Sequence, residues 1–142
     1  MRYLAMRYLV MRYLVLVFVL LLIPIRAADK DLAGKYAGEW KSSSAGGGGA
    51  FRINLQVTPE GAWKWEVTFT YAGQEVKTTP VQVKVEQSKL EGSYDFDLQG
   101  FTLRSRITGE WNGKAFEGKY QSGAADGSAT VDEGVWNAAK VP

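Results

Sequence analysis

The chain has 142 residues, 46% hydrophobic and 13% aromatic, with no cysteine, no histidine and a formal net charge of +2. These absences exclude a thiolate nucleophile, a Ser-His-Asp triad, an ordinary zinc set and any disulfide. The positive charge belongs to the first residues: Arg2, Arg7, Arg12 and Arg26 lie in 1–27 and no acidic residue does, so removing that segment turns +2 into −2. The pI of about 8.8 therefore gives no argument for nucleic acid.

Residues 1–15 are three near-copies of a pentapeptide, MRYLA-MRYLV-MRYLV, and an apolar run follows, closed by Arg26, Ala27 and Ala28. A basic start, an apolar stretch and small residues describe a secretory signal peptide over 1–27, with Met1, Met6 or Met11 as its start. The 12 uncharged residues of 14–25 are too few for the roughly 20 of a spanning helix, so no membrane span is expected once the leader is removed. The expected location is periplasmic or extracellular. No cysteine follows the run to carry a lipid.

Residues 28–33 read as a flexible lead-in to a single domain over 34–140. The first strand, 34–41, places Tyr36, Gly38 and Trp40 on one face; the glycine- and serine-rich 42–50 reads as a flexible loop. Phe51, Ile53, Leu55 and Val57 alternate with polar residues over 51–58, the period of a half-buried strand. Pro59-Glu-Gly61 is a turn, and 62–71 repeats the alternation with Trp63, Trp65, Val67, Phe69 and Tyr71. Over 74–86 the phase slips near Pro80, which reads as one strand with a bulge or bend, or as two short strands. Strands over 90–98 and 101–111 follow. Asn112-Gly113 is the strongest hairpin signal, leading into 114–121. A second loose loop is expected at 122–127, before a last strand, 128–138, of unclear phase.

Eight strands joined by turns predict an all-β, antiparallel up-and-down barrel, because closure removes exposed sheet edges; a β-sandwich is the alternative. In a simple meander the two loose loops share one end, a floppy mouth, and the tight turns share the other. Seven glycine-any-aromatic triplets run through the domain, from Gly34-Lys-Tyr36 to Gly134-Val-Trp136. Glycine followed by an aromatic on the same face is a device of curved sheets. Tyr36, Trp63, Trp111 and Trp136 fall toward the tight end as a plug, Trp40 and Tyr120 toward the mouth. A split of the strand at Pro80 would invert the ends of everything after it.

Gly38-Glu-Trp40, the repeated triplets and the closing Gly134-Val-Trp136-Asn-Ala-Ala-Lys140 resemble the calycin-like barrels, lipocalins and avidins, and the small lipocalin-like domains of exported bacterial proteins. The resemblance implies a barrel architecture. It carries over no ligand, because the later lipocalin motifs, a disulfide pair, a helix after the barrel and an avidin biotin-contact set are all missing.

Few residues suggest chemistry. Asp95 and Asp97 share an outward face and read as solvated, as do Arg104 and Arg106. Asp126-Gly127-Ser128 reads as a turn, lacking the spaced ligands of a calcium loop. Asp132 and Glu133 point to opposite faces, so one of them can enter the interior. No catalytic residue, metal ligand or cofactor is assigned. Fourteen aromatics in the domain can fill a small barrel, or line a site for one small ligand. The expected lining at the mouth is Trp40, Phe51, Phe69, Tyr71, Phe96, Phe101 and Tyr120. The expected function is an exported, non-enzymatic barrel that binds a small apolar ligand or a protein partner at its loop end. The alternatives are an accessory envelope domain with a filled core and, third, a hydrolase that works through carboxylates such as Asp95 and Asp97, which could pair as acid and base.

Overall fold

Period-two alternation runs through nearly every segment of the domain, and it produces strands throughout. The computed structural model describes residues 29–142; the leader expected over 1–27 lies outside the described residues. The unit formed by residues 32–142 contains β1 (Gly34–Ser42), β2 (Gly48–Val57), β3 (Trp63–Tyr71), β4 (Gln74–Lys77), β5 (Thr79–Glu86), β6 (Lys89–Leu98), β7 (Phe101–Trp111), β8 (Ala115–Gly123) and β9 (Thr130–Lys140). They form one antiparallel meander in the order β4-β3-β2-β1-β9-β8-β7-β6-β5, a nearly closed barrel. The strands are nine and not eight, because 74–86 is broken.

The break falls at Thr78, two residues before Pro80. Following the antiparallel alternation around the sheet gives β4 and β5 the same direction. They are two halves of one stave, so the ends of the barrel are not inverted. The Thr78 hydroxyl donates to the Val67 carbonyl at 2.6 Å and ties the break to β3. Pro80 stays in β5 opposite Tyr94, and the register slips between Pro80 and Gln82. A residue without an N–H is tolerated on such an edge strand.

The loops after β1, β3, β6 and β8 share the mouth end; the turns at 58–62, 87–88 and 112–114 share the base. The base is plugged: Phe116 lies 5.1 Å from Tyr36 and 5.3 Å from Trp111 between ring centroids. Leu32, expected in a mobile lead-in, is instead buried there, and its carbonyl accepts the Tyr36 hydroxyl. The core continues upward through Ile53, Leu55, Val67, Leu90 and Ile107, each fully buried aliphatic stabilising the fold by about 1.5–3 kcal/mol.

Glycine and aromatic do meet, but across strands and not within a triplet. A Cβ at Gly109 would lie 2.6 Å from the Trp136 ring, and one at Gly92 would lie 2.4 Å from the Trp65 ring. Both distances are shorter than carbon atoms tolerate. Gly92 and Gly109 thus supply flat seats for indoles that arrive from another strand, whereas Gly38, Gly118 and Gly134 let a neighbouring backbone approach closely.

Candidate functional site

Above the plug, at the mouth end, the barrel encloses a cavity of about 280 Å³. Its apolar wall comes from β2, β3, β6 and β7, through Phe51, Phe69, Tyr71, Tyr94, Phe96, Leu98, Leu103 and Ile107. Trp40 organises the rim. Its indole N–H donates to the Thr70 carbonyl at 2.9 Å, and its ring is near-parallel to Tyr71 with centroids 6.4 Å apart. Phe69 and Tyr120 meet it edge-on, at 6.2 and 6.1 Å. This placement requires Gly49, whose added Cβ would sit 2.3 Å from the Thr70 carbonyl oxygen and 2.9 Å from Trp40 Nε1. Part of the glycine tract expected to be loop is therefore strand: Gly48 and Gly49 belong to β2, and Gly49 pairs with Trp40.

The opposite wall is polar and centres on Asp132. The register of β8 and β9 slips between Ser122 and Gly123, leaving Val131 without a place in the ladder. That slip explains the unclear phase of the last strand. Past it, Asp132 faces the cavity on the same side as the buried Gly134, Trp136 and Ala138. Asp132 Oδ1 accepts the hydroxyls of Ser42 (2.6 Å) and Ser44 (3.0 Å), and Oδ2 accepts the Tyr120 phenol (2.8 Å). Burial, and then the Asp132 carboxylate, push the Tyr120 phenol well above its ordinary range. Beside this group Ser122 donates to Ser105 at 3.0 Å. Burial pushes the Tyr94 phenol up to about 12, against a hydrogen bond with Ser105 that lowers it.

The mouth loops are pinned, not floppy. Ser43 N–H donates to Glu133 O at 2.8 Å, Glu133 N–H to Ser44 Oγ at 3.2 Å and Ala45 N–H to Ser42 Oγ at 3.0 Å. The first two bonds fasten Ser43 and Ser44 to β9, and the third closes the loop on itself. The turn over 124–129 is closed by Ala124 N–H to Ala129 O at 2.9 Å, and Arg106 Nη2 donates to Ala125 O at 2.7 Å. Asp126 accepts from the Ser128 backbone N–H at 2.9 Å, an Asx-type turn as expected.

Of the seven residues expected to line the mouth, the structure brings six together around this cavity: Trp40, Phe51, Phe69, Tyr71, Phe96 and Tyr120. Phe101 does not join them. It begins β7, one alternation beyond Leu103, and stands past the rim with 71% of its surface exposed. Trp136, expected in the plug, instead floors the cavity; its indole N–H lies 3.1 Å from Thr108 O and 3.2 Å from Lys119 O. Tyr94, Leu98, Leu103 and Ile107 also line the cavity beyond the expected set, and so does the polar wall with its supporting serines. Ser105 offered a signal, as a polar residue at an inward position of an apolar strand. Ser42 and Ser122 sat in segments read as loop.

On the outer face, Asp95 pairs across the sheet with Arg104, through Nε to Oδ1 at 2.7 Å and Nη2 to Oδ2 at 3.1 Å. That hydrogen-bonded guanidinium holds the Asp95 carboxyl below its ordinary range. Thr102 donates to Asp97 at 2.5 Å. Each of these carboxylates thus has its own cross-strand partner. Among the described residues no group of three or more acidic side chains is placed to hold a metal ion. No family model, no curated protein and no solved structure matches the chain.

Proposed function

We propose that this chain is an exported, non-enzymatic, calycin-like β-barrel that binds one small, largely apolar ligand in the mouth cavity. One observation carries the reading: a void of about 280 Å³ opens among aromatic rings at the loop end while the base is packed shut. A volume near 300 Å³ is at the small end of ligand pockets, and an apolar wall with a few fixed polar groups is their usual make-up. The filled-core alternative would have placed side chains in that space. Export rests on the basic, apolar leader with its small-residue end. Against an acid–base enzyme, the cavity lining carries a single carboxylate and no lysine. A protein partner at the mouth is favoured by a separate observation: Phe101, Val131 and Tyr71 leave apolar surface exposed around the rim.

Native mass spectrometry of protein purified from its own host tests the ligand reading. A co-purified small molecule, lost on substituting Trp40 with Ala, is the expected result. A bare mass, together with no amide shift change at the mouth on titration with small apolar compounds, refutes it.

A further inference from the structure

The cavity lining contains one charged side chain, Asp132, and no lysine or arginine. Asp132 takes part in none of the ion pairs of the described residues. The nearby basic side chains are occupied elsewhere or exposed: Arg104 holds Asp95, Arg106 holds the Ala125 carbonyl, and Lys41 and Lys119 lie on the outer face. A carboxylate has about four acceptor directions, and three of those of Asp132 are taken by Ser42, Ser44 and Tyr120. All three partners are neutral hydroxyls. They orient the carboxylate and leave its charge uncompensated.

A wholly apolar ligand that filled the cavity would strip water from that charge and return nothing for it, an unfavourable exchange. An anion would meet a like charge with no cation to offset it. An ammonium group replaces the lost water with a charge-assisted hydrogen bond. The remaining wall carries aromatic rings, including Trp40, Tyr71 and Phe69, and an aromatic face is negative and attracts a nearby cation. We infer that the cavity takes a small organic cation: an ammonium seated against Asp132, carried on an apolar or aromatic body that lies among the rings. This rests on the reading of the cavity as a ligand site.

The test is a matched titration of the purified protein with 2-phenylethylamine and 2-phenylethanol at neutral pH. The two share one carbon frame and differ in an ammonium against a hydroxyl. Tryptophan fluorescence and backbone amide shifts report binding. The amine is expected to bind about tenfold or more tighter than the alcohol, the difference a charged hydrogen bond makes. Asp132→Asn, which keeps partners for the three hydroxyls, should bring the amine down to the level of the alcohol. Equal binding of amine and alcohol to the unaltered protein overturns the cation and leaves the cavity as a site for neutral ligands. Tighter binding of 3-phenylpropionate than of the amine also overturns it. If none of the three compounds shifts a mouth amide, the cation and the cavity reading fall together. The comparison on the unaltered protein is decisive even if Asp132→Asn does not fold.

Discussion

Gly49→Ala adds one methyl group to a segment whose composition looks tolerant of any change, and the structure makes it costly. The new Cβ would lie 2.3 Å from the Thr70 carbonyl oxygen, 2.6 Å from Thr70 Oγ1 and 2.9 Å from Trp40 Nε1. The carbonyl belongs to β3 and cannot rotate away, so β2 and β3 must separate or the Trp40 indole must leave. Overpacking of this kind costs about 1–3 kcal/mol, and losing the Trp40–Thr70 hydrogen bond adds about 1 kcal/mol. A total of about 3 kcal/mol corresponds to a fall in Tm of roughly 12 °C for a domain of this size. Thermal unfolding followed by far-UV circular dichroism measures it. Tryptophan emission should change as well, because Trp40 loses its packing against Tyr71. A Tm within about 2 °C of the unaltered protein, with unchanged emission, refutes the claim that this glycine is a packing requirement.

Trp136→Phe and Trp65→Phe remove similar volume from buried sites, but Trp136 Nε1 has two carbonyl acceptors and Trp65 Nε1 is buried without a partner. Trp136→Phe should therefore cost about 1–2 kcal/mol more in denaturant unfolding, and equal or reversed costs refute the assignment. The phenols of Tyr36 and Tyr94 are raised by burial from 10.0 to about 12. A folded pKa above the unfolded one gives stability that is complete below pH 10 and lost as the pH rises through about 12. The deeply buried Tyr94 phenol contributes about 3 kcal/mol over that window. Tyrosinate absorbance should thus rise together with loss of the sheet signal, and ionisation of both phenols near pH 10 in a folded protein would contradict it. Thr78→Val removes the hydroxyl that ties the broken stave to the Val67 carbonyl and should cost about 1 kcal/mol. Hydrogen exchange should quicken in β3 and β5 and stay unchanged in β1, β8 and β9; a uniform change would show that the tie is not local.

The all-β class, the antiparallel meander and the mouth-to-base polarity were legible because alternation is a local signal and turn residues punctuate it. The break in the fourth stave was legible only as a disturbance. Pro80 drew attention to itself, whereas the interruption sits at Thr78, whose side chain bonds across to β3. The loops were misjudged for a different reason. Serine and glycine are read as flexible when nothing is known of their partners, and the partners here are remote in sequence: Ser42 and Asp132 are 90 residues apart, Trp40 and Thr70 are 30 apart. Asp132 itself was visible as a carboxylate on a strand with two candidate faces. The slip beside Val131 chose the face, and no single-strand pattern predicts a slip.

The two walls of the cavity differ in how they are held. The polar wall is drawn from the contiguous strands β1, β9 and β8: Tyr120 lies inside a ladder, Ser42 ends one, and Asp132 sits beside the slip, held by the hydroxyls of Ser42, Ser44 and Tyr120. The apolar wall includes β3, whose outer neighbour is the broken stave. Loosening at Thr78 would therefore widen the side lined by Phe69 and Tyr71 without disturbing the hydroxyls that orient Asp132. On the proposed reading of the cavity as a cation site, the charged anchor stays fixed by these hydroxyls while the apolar side adjusts to the body of the ligand. It follows that discrimination should be strict for the group that meets Asp132 and permissive for the carbon frame behind it.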